Sequence, residues 1–312
     1  MARKPPAGVF CIAKPAGITS RAVVDELSRL ARSGKVGHAG TLDPMATGVL
    51  LVCLGWATRL VPLAQSLRKS YRARFELGKT SDTDDATGEV TTVTTGPLPD
   101  RTQLEALLPR YTGVISQVPP QFSAIKLGGK RAYDLARQGQ TAPLEARPVE
   151  VHSLVLTAFE APFFELEIKC GSGTYVRSIG RDLGSDLGCG AVMTALDRTA
   201  IGPFSLDRAV ALDTLDRQSW RDALLPPLEI VSHLPRHTCT EGDLELLSEG
   251  RQLLLPATGD AALSPPHAGE SPWALVSPGG DLVAMGEMTA GSNVIQPRLV
   301  FPESLQAARA TA

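Results

Sequence analysis

Residues 164–187 restrict the fold more than any other stretch. Phe164, Leu166, Ile168 and Cys170 alternate with Glu165, Glu167 and Lys169, the period-2 signature of a half-buried strand. Gly171-Ser172-Gly173 then breaks the chain, and Val176, Ile179, Leu183 and Leu187 form a helical stripe, with Arg177 and Arg181 four apart on a neighbouring face. Elsewhere Val9–Ala13 and Tyr71–Leu77 predict strands. Thr19 or Ser20 predicts the cap of a helix carrying Val23, Val24, Leu27, Leu30 and Ala31. A glycine-rich loop is expected from Gly34 to Gly48, followed by a strand from Val49 to Leu54. Strands and helices mix without the strict βαβ alternation of a parallel sheet.

At roughly 150 residues per domain, the 312 residues suggest two units. A boundary is expected near Leu234-Pro235. Beyond it a short helix pattern, Glu241–Glu249, and three strand candidates, Ala274–Val276, Leu282–Met285 and Leu299–Phe301, predict a small β-rich module. Between 117 and 150, Pro119-Pro120, Gly128-Gly129 and Pro143 interrupt regular structure. There Lys126, Lys130, Arg131, Arg137 and Arg147 outnumber three acids, as in an exposed basic excursion.

A chain that is 43% hydrophobic and 21% charged is not a disordered tail. Its apolar runs, such as Val49–Leu54, stop far short of the ~18 residues of a membrane span. Val9–Ala13 is shorter than a secretory core of about 7–15 residues, so a cytoplasmic location is expected. Five cysteines, none closer than 19 positions to another, suggest neither a disulfide framework nor a metal knuckle, and Pro235 between His233 and His237 argues against a zinc helix. The net charge of −2 conceals an asymmetry: residues 1–80 carry +9 and the remainder −11. A basic N-terminal region of that kind can face phosphates.

Gly37-His38-Ala39-Gly40-Thr41-Leu42-Asp43-Pro44-Met45-Ala46-Thr47-Gly48 is the densest chemical signal. Its glycines permit tight turns, and Pro44 biases Asp43 away from the α region, projecting the carboxylate from extended backbone. An aspartate so displayed can serve as nucleophile or general base. A phosphate-binding P-loop is excluded for this stretch because it lacks the Gly-Lys-Ser/Thr ending.

This stretch resembles the catalytic motif of the TruB family of tRNA pseudouridine(55) synthases. Four further segments resemble that family in the same order: Lys14-Pro15-Ala16-Gly17-Ile18-Thr19-Ser20, Lys69-Ser70-Tyr71 with the loop Thr80–Gly88, Gln117–Lys126, and Gly173-Thr174-Tyr175-Val176-Arg177-Ser178 with Asp182-Leu183-Gly184. Five segments in register form a specific signal. The C-terminal stretch resembles the PUA module that ends many bacterial members.

The resemblance implies an α+β pseudouridine synthase fold. Its catalytic body, residues 1–234, is built on a curved antiparallel sheet with the RNA-gripping insertion near 117–150, and a PUA-like RNA-binding domain spans 235–312. It implies an isomerase acting on the T-loop of tRNA, with the T-arm stem-loop as partner, no cofactor, no metal and no obligatory protein partner, the chain acting as a monomer. Asp43 would be the essential carboxylate, attacking either ribose C1′ or the uracil ring of a flipped-out nucleotide. Tyr71 would stack on the uracil and is a candidate for removing the C5 proton. Arg177 would pair with Asp43 and hold it ionised.

Tyr175 and Leu196 would line the base pocket and His38 would help hold the nucleotide out of its stack. Lys14 would lie near the catalytic loop, and Lys69, Lys126, Lys130, Arg131 and Arg137 would meet phosphates. Two positions depart from the family pattern: Asp197 stands where many relatives carry arginine and Ser172 where many carry lysine. Residues 235–312 carry a net −5, which disfavours phosphate binding. A tRNA-binding or tRNA-folding protein on the same scaffold, without turnover, is the alternative reading.

Overall fold

The computed structural model describes residues 6–94, 96–123, 125–127, 130–138, 140, 143–255, 272–289 and 291–311. The side chains of Lys126, Leu127, Lys130, Arg131, Asp134, Arg137 and Thr311 lie outside the described set.

An eleven-stranded sheet dominates the first three quarters of the chain. Its main strands are β1 (Gly8–Lys14), β2 (Val36–His38), β3 (Thr47–Leu54), β4 (Lys69–Leu77), β5 (Gly113–Gln117), β6 (Arg147–Glu160), β7 (Phe163–Cys170) and β8 (Ala191–Ile201). Along the sheet the order is β1-β3-β8-β4-β7-β6-β5. Every neighbouring pair in that order is antiparallel except β3 and β8, which meet in parallel through Asp197 opposite Thr47 and Arg198 opposite Gly48. That parallel seam sets the start of β3, and with it the loop bearing Asp43, beside the centre of the sheet.

Helix α1 (Ser20–Ala31) buries Val23, Val24, Leu27 and Leu30, and the Thr19 hydroxyl caps it by accepting from Ala22 N. Helix α2 (Arg101–Leu107) and helix α3 (Val176–Asp186) bring Leu104, Val176, Ile179 and Leu183 into one core with Phe75 and Phe164, whose rings stack at 5.0 Å. Glycine sets how closely α3 lies against the sheet. A Cβ at Gly180 would stand 2.2 Å from the Phe75 ring, and one at Gly184 would stand 2.1 Å from Ala191 N.

Neither β6 nor β8 is marked by hydrophobic alternation in the sequence, and the reason is local. Each contains two register shifts, at 151–153 and 156–158 in β6 and at 193–195 and 198–200 in β8, which interrupt the alternation a pattern search depends on. The expected loop 34–48 contains β2, and the basic excursion gives way to β6 at Arg147.

A second sheet of five strands follows: β9 (Arg236–Thr238), β10 (Leu253–Leu254), β11 (Pro272–Val276), β12 (Leu282–Met288) and β13 (Val294–Val300), in the order β9-β11-β12-β13-β10. Helices α4 (Glu241–Ser248) and α5 (Pro302–Thr311) pack with it, the second having no counterpart in the sequence reading. The two sheets share apolar packing. Ala274, Leu282, Met285 and Phe301 lie in one cluster with Leu51, Ala57, Leu60 and Ile230, and Phe301 stacks on Trp56 at 4.3 Å.

Candidate active site

Residues 39–46, between β2 and β3, carry Asp43, and buried polar groups pin their backbone. Ser20 Oγ donates to Leu42 O at 3.0 Å and accepts from Leu42 N at 2.8 Å. Gly17 N donates to Pro44 O at 2.8 Å. Lys14 Nζ donates to Pro15 O, Pro44 O and Ala46 O at 2.8, 3.3 and 2.7 Å. From the other side Arg198, 1% exposed, donates from Nε to Val49 O at 2.7 Å and from Nη2 to Gly40 O at 3.1 Å. Gly48 is required where the loop joins the seam: its φ is +99°, and a Cβ would meet Arg198 O at 2.3 Å.

Arg177, on the first turn of α3, reaches this loop. Its Nε lies 3.1 Å from Asp43 Oδ2 and its Nη2 donates to Asp43 Oδ1 at 3.3 Å. The remaining donors are also committed: Nη1 to Thr83 O at 2.8 Å and towards Asp85 Oδ2 at 3.5 Å, Nη2 to Phe122 O at 3.0 Å. Burial pushes the Asp43 carboxyl up from its ordinary range. Arg177 opposes most strongly, Asp85 adds to the rise, and Lys14 and Arg198 pull it back.

A cavity of about 280 Å³ opens beside this pair. Asp43, Lys69, Tyr71, Tyr175, Arg177, Leu196 and Arg198 all contribute to its wall. Tyr71, on β4, sits opposite Arg198 in the register. Burial drives its phenol upward, while Arg198 opposes the rise. Tyr175 is bracketed through its backbone by the Gln117 amide, which donates to Tyr175 O at 3.1 Å and accepts from Tyr175 N at 2.8 Å. The Arg147 guanidinium lies 5.3 Å from its ring centre.

Other expected residues stand elsewhere or do something different. His38 lies on β2, outside the cavity wall. Its Nδ1 is closed to water and has no partner among the described residues, and burial lowers its pKa. Lys14 stands beside the catalytic loop, as expected, with its donors on loop carbonyls rather than free for substrate: it is 1% exposed, and burial pushes its ammonium down to about 8. Lys69 lines the cavity but is buried, donates to Gln65 O and is likewise pushed down to about 8 by burial, so it does not project as a free phosphate contact. The side chains of Lys126, Lys130, Arg131 and Arg137 lie outside the described residues.

Arg198 and Asp85 are the residues that sequence reasoning missed. Asp85 is 3% exposed; besides Arg177 it accepts from Thr83 Oγ1 and Thr87 N at 2.9 Å each. Charged residues in a loop and a strand read as solvated; only their burial distinguishes them. The departure at Asp197 has a local partner, since its Oδ1 accepts from Thr47 Oγ1 at 3.0 Å across the parallel seam. Among the described residues no group of three or more His, Cys, Asp or Glu side chains could hold a metal ion.

A half-buried aspartate held by a buried arginine beside a tyrosine, set where a large mixed sheet meets a helix, defines the class. The fold is that of the pseudouridine synthases: a chain in a crystal structure of a Cbf5-Nop10-Gar1 complex superimposes with a TM-score of 0.71 at 25% identity, over 94% of this chain and 84% of that one. A Nop10-Cbf5 complex of the archaeal box H/ACA sRNP gives 0.68 over 94% and 85%, at an identity of 24% that supports the fold alone.

Within the class, residues 28–176 match the family model of the TruB family pseudouridylate synthase N-terminal domain, and residues 177–231 match that of the tRNA pseudouridylate synthase B C-terminal domain. The chain is 41% identical over 309 residues to tRNA pseudouridine synthase B of Sinorhizobium medicae, covering 96% of each. It is 43% identical over 299 residues to that of Dinoroseobacter shibae, covering 94% of this chain and 95% of the relative. The chain belongs to the TruB family of pseudouridylate synthases.

Proposed function

We propose that the chain isomerises the T-loop uridine at tRNA position 55 to pseudouridine. The observation that carries this reading is the two-point contact of Arg177 with Asp43 in the wall of a cavity that Tyr71 also lines. The target nucleotide leaves its stack and enters that cavity. The N1–C1′ bond breaks with Asp43 as covalent catalyst, the uracil turns, C5 bonds to C1′, and the C5 proton departs. Arg177 keeps the carboxylate charged against its burial. Tyr71, which shares the cavity wall with Asp43, stacks on the ring and takes the C5 proton.

Tyr175 and Leu196 wall the cavity; His38 helps keep the nucleotide extruded; Lys126, Lys130, Arg131 and Arg137 meet phosphates from the basic insertion. Residues 1–234 form the catalytic unit and 235–312 a PUA-like RNA-binding module. The enzyme acts in the cytoplasm as a monomer with no obligatory protein partner. No helix among the described residues is long and apolar enough to cross a membrane.

The test is tritium release from tRNA labelled at uracil C5, comparing the native protein with Asp43→Ala at equal tRNA occupancy. Release by the native protein alone supports the reading, provided it disappears when position 55 is cytidine. Binding by both proteins without release by either would instead identify a non-catalytic tRNA-binding protein.

A further inference from the structure

Ser123 opens the basic insertion and lines the catalytic cavity, yet its hydroxyl makes no hydrogen bond among the described residues. The residue is 3% exposed, and Oγ is closed to water with no hydrogen-bond partner among the described residues. The backbone on either side is tied down: Phe122 O accepts from Arg177 Nη2 at 3.0 Å and Ser123 O accepts from Tyr133 N at 3.0 Å. Shifting the main chain to find a partner would break one of these bonds. A buried polar group left unpaired is unfavourable, and alanine would remove the penalty at almost no change in volume. A serine here is therefore explained by a partner that arrives with the ligand.

The chemistry of the ligand says what that partner is. A uracil ring presents two carbonyl acceptors and one N–H, so a pocket that holds it must supply hydrogen-bond donors. Arg177 cannot supply one, because its five N–H groups already meet Asp43, Thr83, Asp85 and Phe122. The Ser123 O–H is uncommitted, and serine has one χ1 torsion, so a single rotamer step redirects it without moving the backbone. We propose that Ser123 is a substrate-contacting residue whose hydroxyl donates to a carbonyl oxygen of the flipped uracil. The proposal rests on the uridine reading above.

Three measurements on Ser123→Ala test it. Thermal unfolding without RNA should show a Tm equal to or above that of the native protein; a fall of several degrees would mean that the hydroxyl already has a partner, and would overturn the assignment. Single-turnover tritium release should show kcat/KM lowered roughly 3- to 10-fold, the range of one neutral hydrogen bond, and an undiminished rate would overturn it. The third pairs the variant with tRNAs carrying 2-thiouridine or 4-thiouridine at the target, since sulfur is a weak acceptor. One thio substitution should slow the native protein several-fold and slow Ser123→Ala no further. Equal slowing of both proteins at both positions would show that no such contact exists. If the native protein releases no tritium, the uridine reading fails and takes this assignment with it; release by the native protein with no deficit in the variant sinks the assignment alone.

Discussion

Arg177 engages both carboxylate oxygens of Asp43, Nε to Oδ2 at 3.1 Å and Nη2 to Oδ1 at 3.3 Å, across 134 residues of sequence. Burial raises the Asp43 pKa and Arg177 is the largest influence lowering it. Arg177→Gln removes the lowering influence, so Asp43 holds its proton to higher pH. The acid limb of the kcat/KM profile should move to higher pH, with tRNA binding at neutral pH largely retained. A limb at the native position would show that the arginine does not control this ionisation.

Tyr71 combines a stacking face with a phenol in the wall of the Asp43 cavity. Tyr71→Phe keeps the face and loses the hydroxyl. The reaction should stall after the base has entered the cavity: tRNA is still bound, and tritium release falls by two orders of magnitude or more, on the scale of about 10²–10⁴ for general acid–base catalysis. A decrease of only a fewfold would place the proton acceptor elsewhere.

Lys14 gives a stability prediction with a definite sign. Its ammonium is pushed from 10.5 down to about 8 by burial, so between those values the unfolded chain binds more protons than the folded one and stability rises with pH. Lys14→Met removes this contribution. The difference in urea midpoint between native protein and variant should widen in favour of the native protein from pH 8 to 10.5 and stay constant below pH 7. A difference independent of pH across the whole range would contradict a buried, charged Lys14.

Gly184 lies where α3 touches the start of β8. An added Cβ would stand 2.1 Å from Ala191 N and 2.3 Å from Gly190 C, backbone atoms that cannot swing aside. Gly184→Ala should destabilise the protein by about 1–3 kcal/mol or more, read as a lowered urea midpoint. Because α3 carries Arg177, turnover should fall as well.

The sequence made some of this site visible and hid the rest for physical reasons. Asp43 is visible because Pro44 and the flanking glycines leave a local signature. The strand Phe163–Cys170 is visible because one face is buried and the other wet. Arg177 looks like any helical arginine; only family resemblance links it with a carboxylate so far away in sequence. Arg198 escaped notice because β8 contains two register shifts, and no periodicity distinguishes a strand arginine that points inward. The place of Lys14 beside the loop was legible from the resemblance, but its burial was not, because a lysine whose partners are backbone carbonyls has no side-chain signature to match. The Trp56–Phe301 contact joins positions 245 apart, and aromatic residues alone do not declare their partners.

That contact has a mechanical consequence. With Phe301 stacked on Trp56, Arg59 donating to Val300 O, and one apolar cluster spanning both sheets, the C-terminal module is soldered to the body rather than tethered to it. The span from the Asp43 cavity to the far edge of the second sheet is thus a fixed length of the molecule. A ligand that touches both ends is gauged against that length, as a workpiece is by a caliper whose jaws are locked.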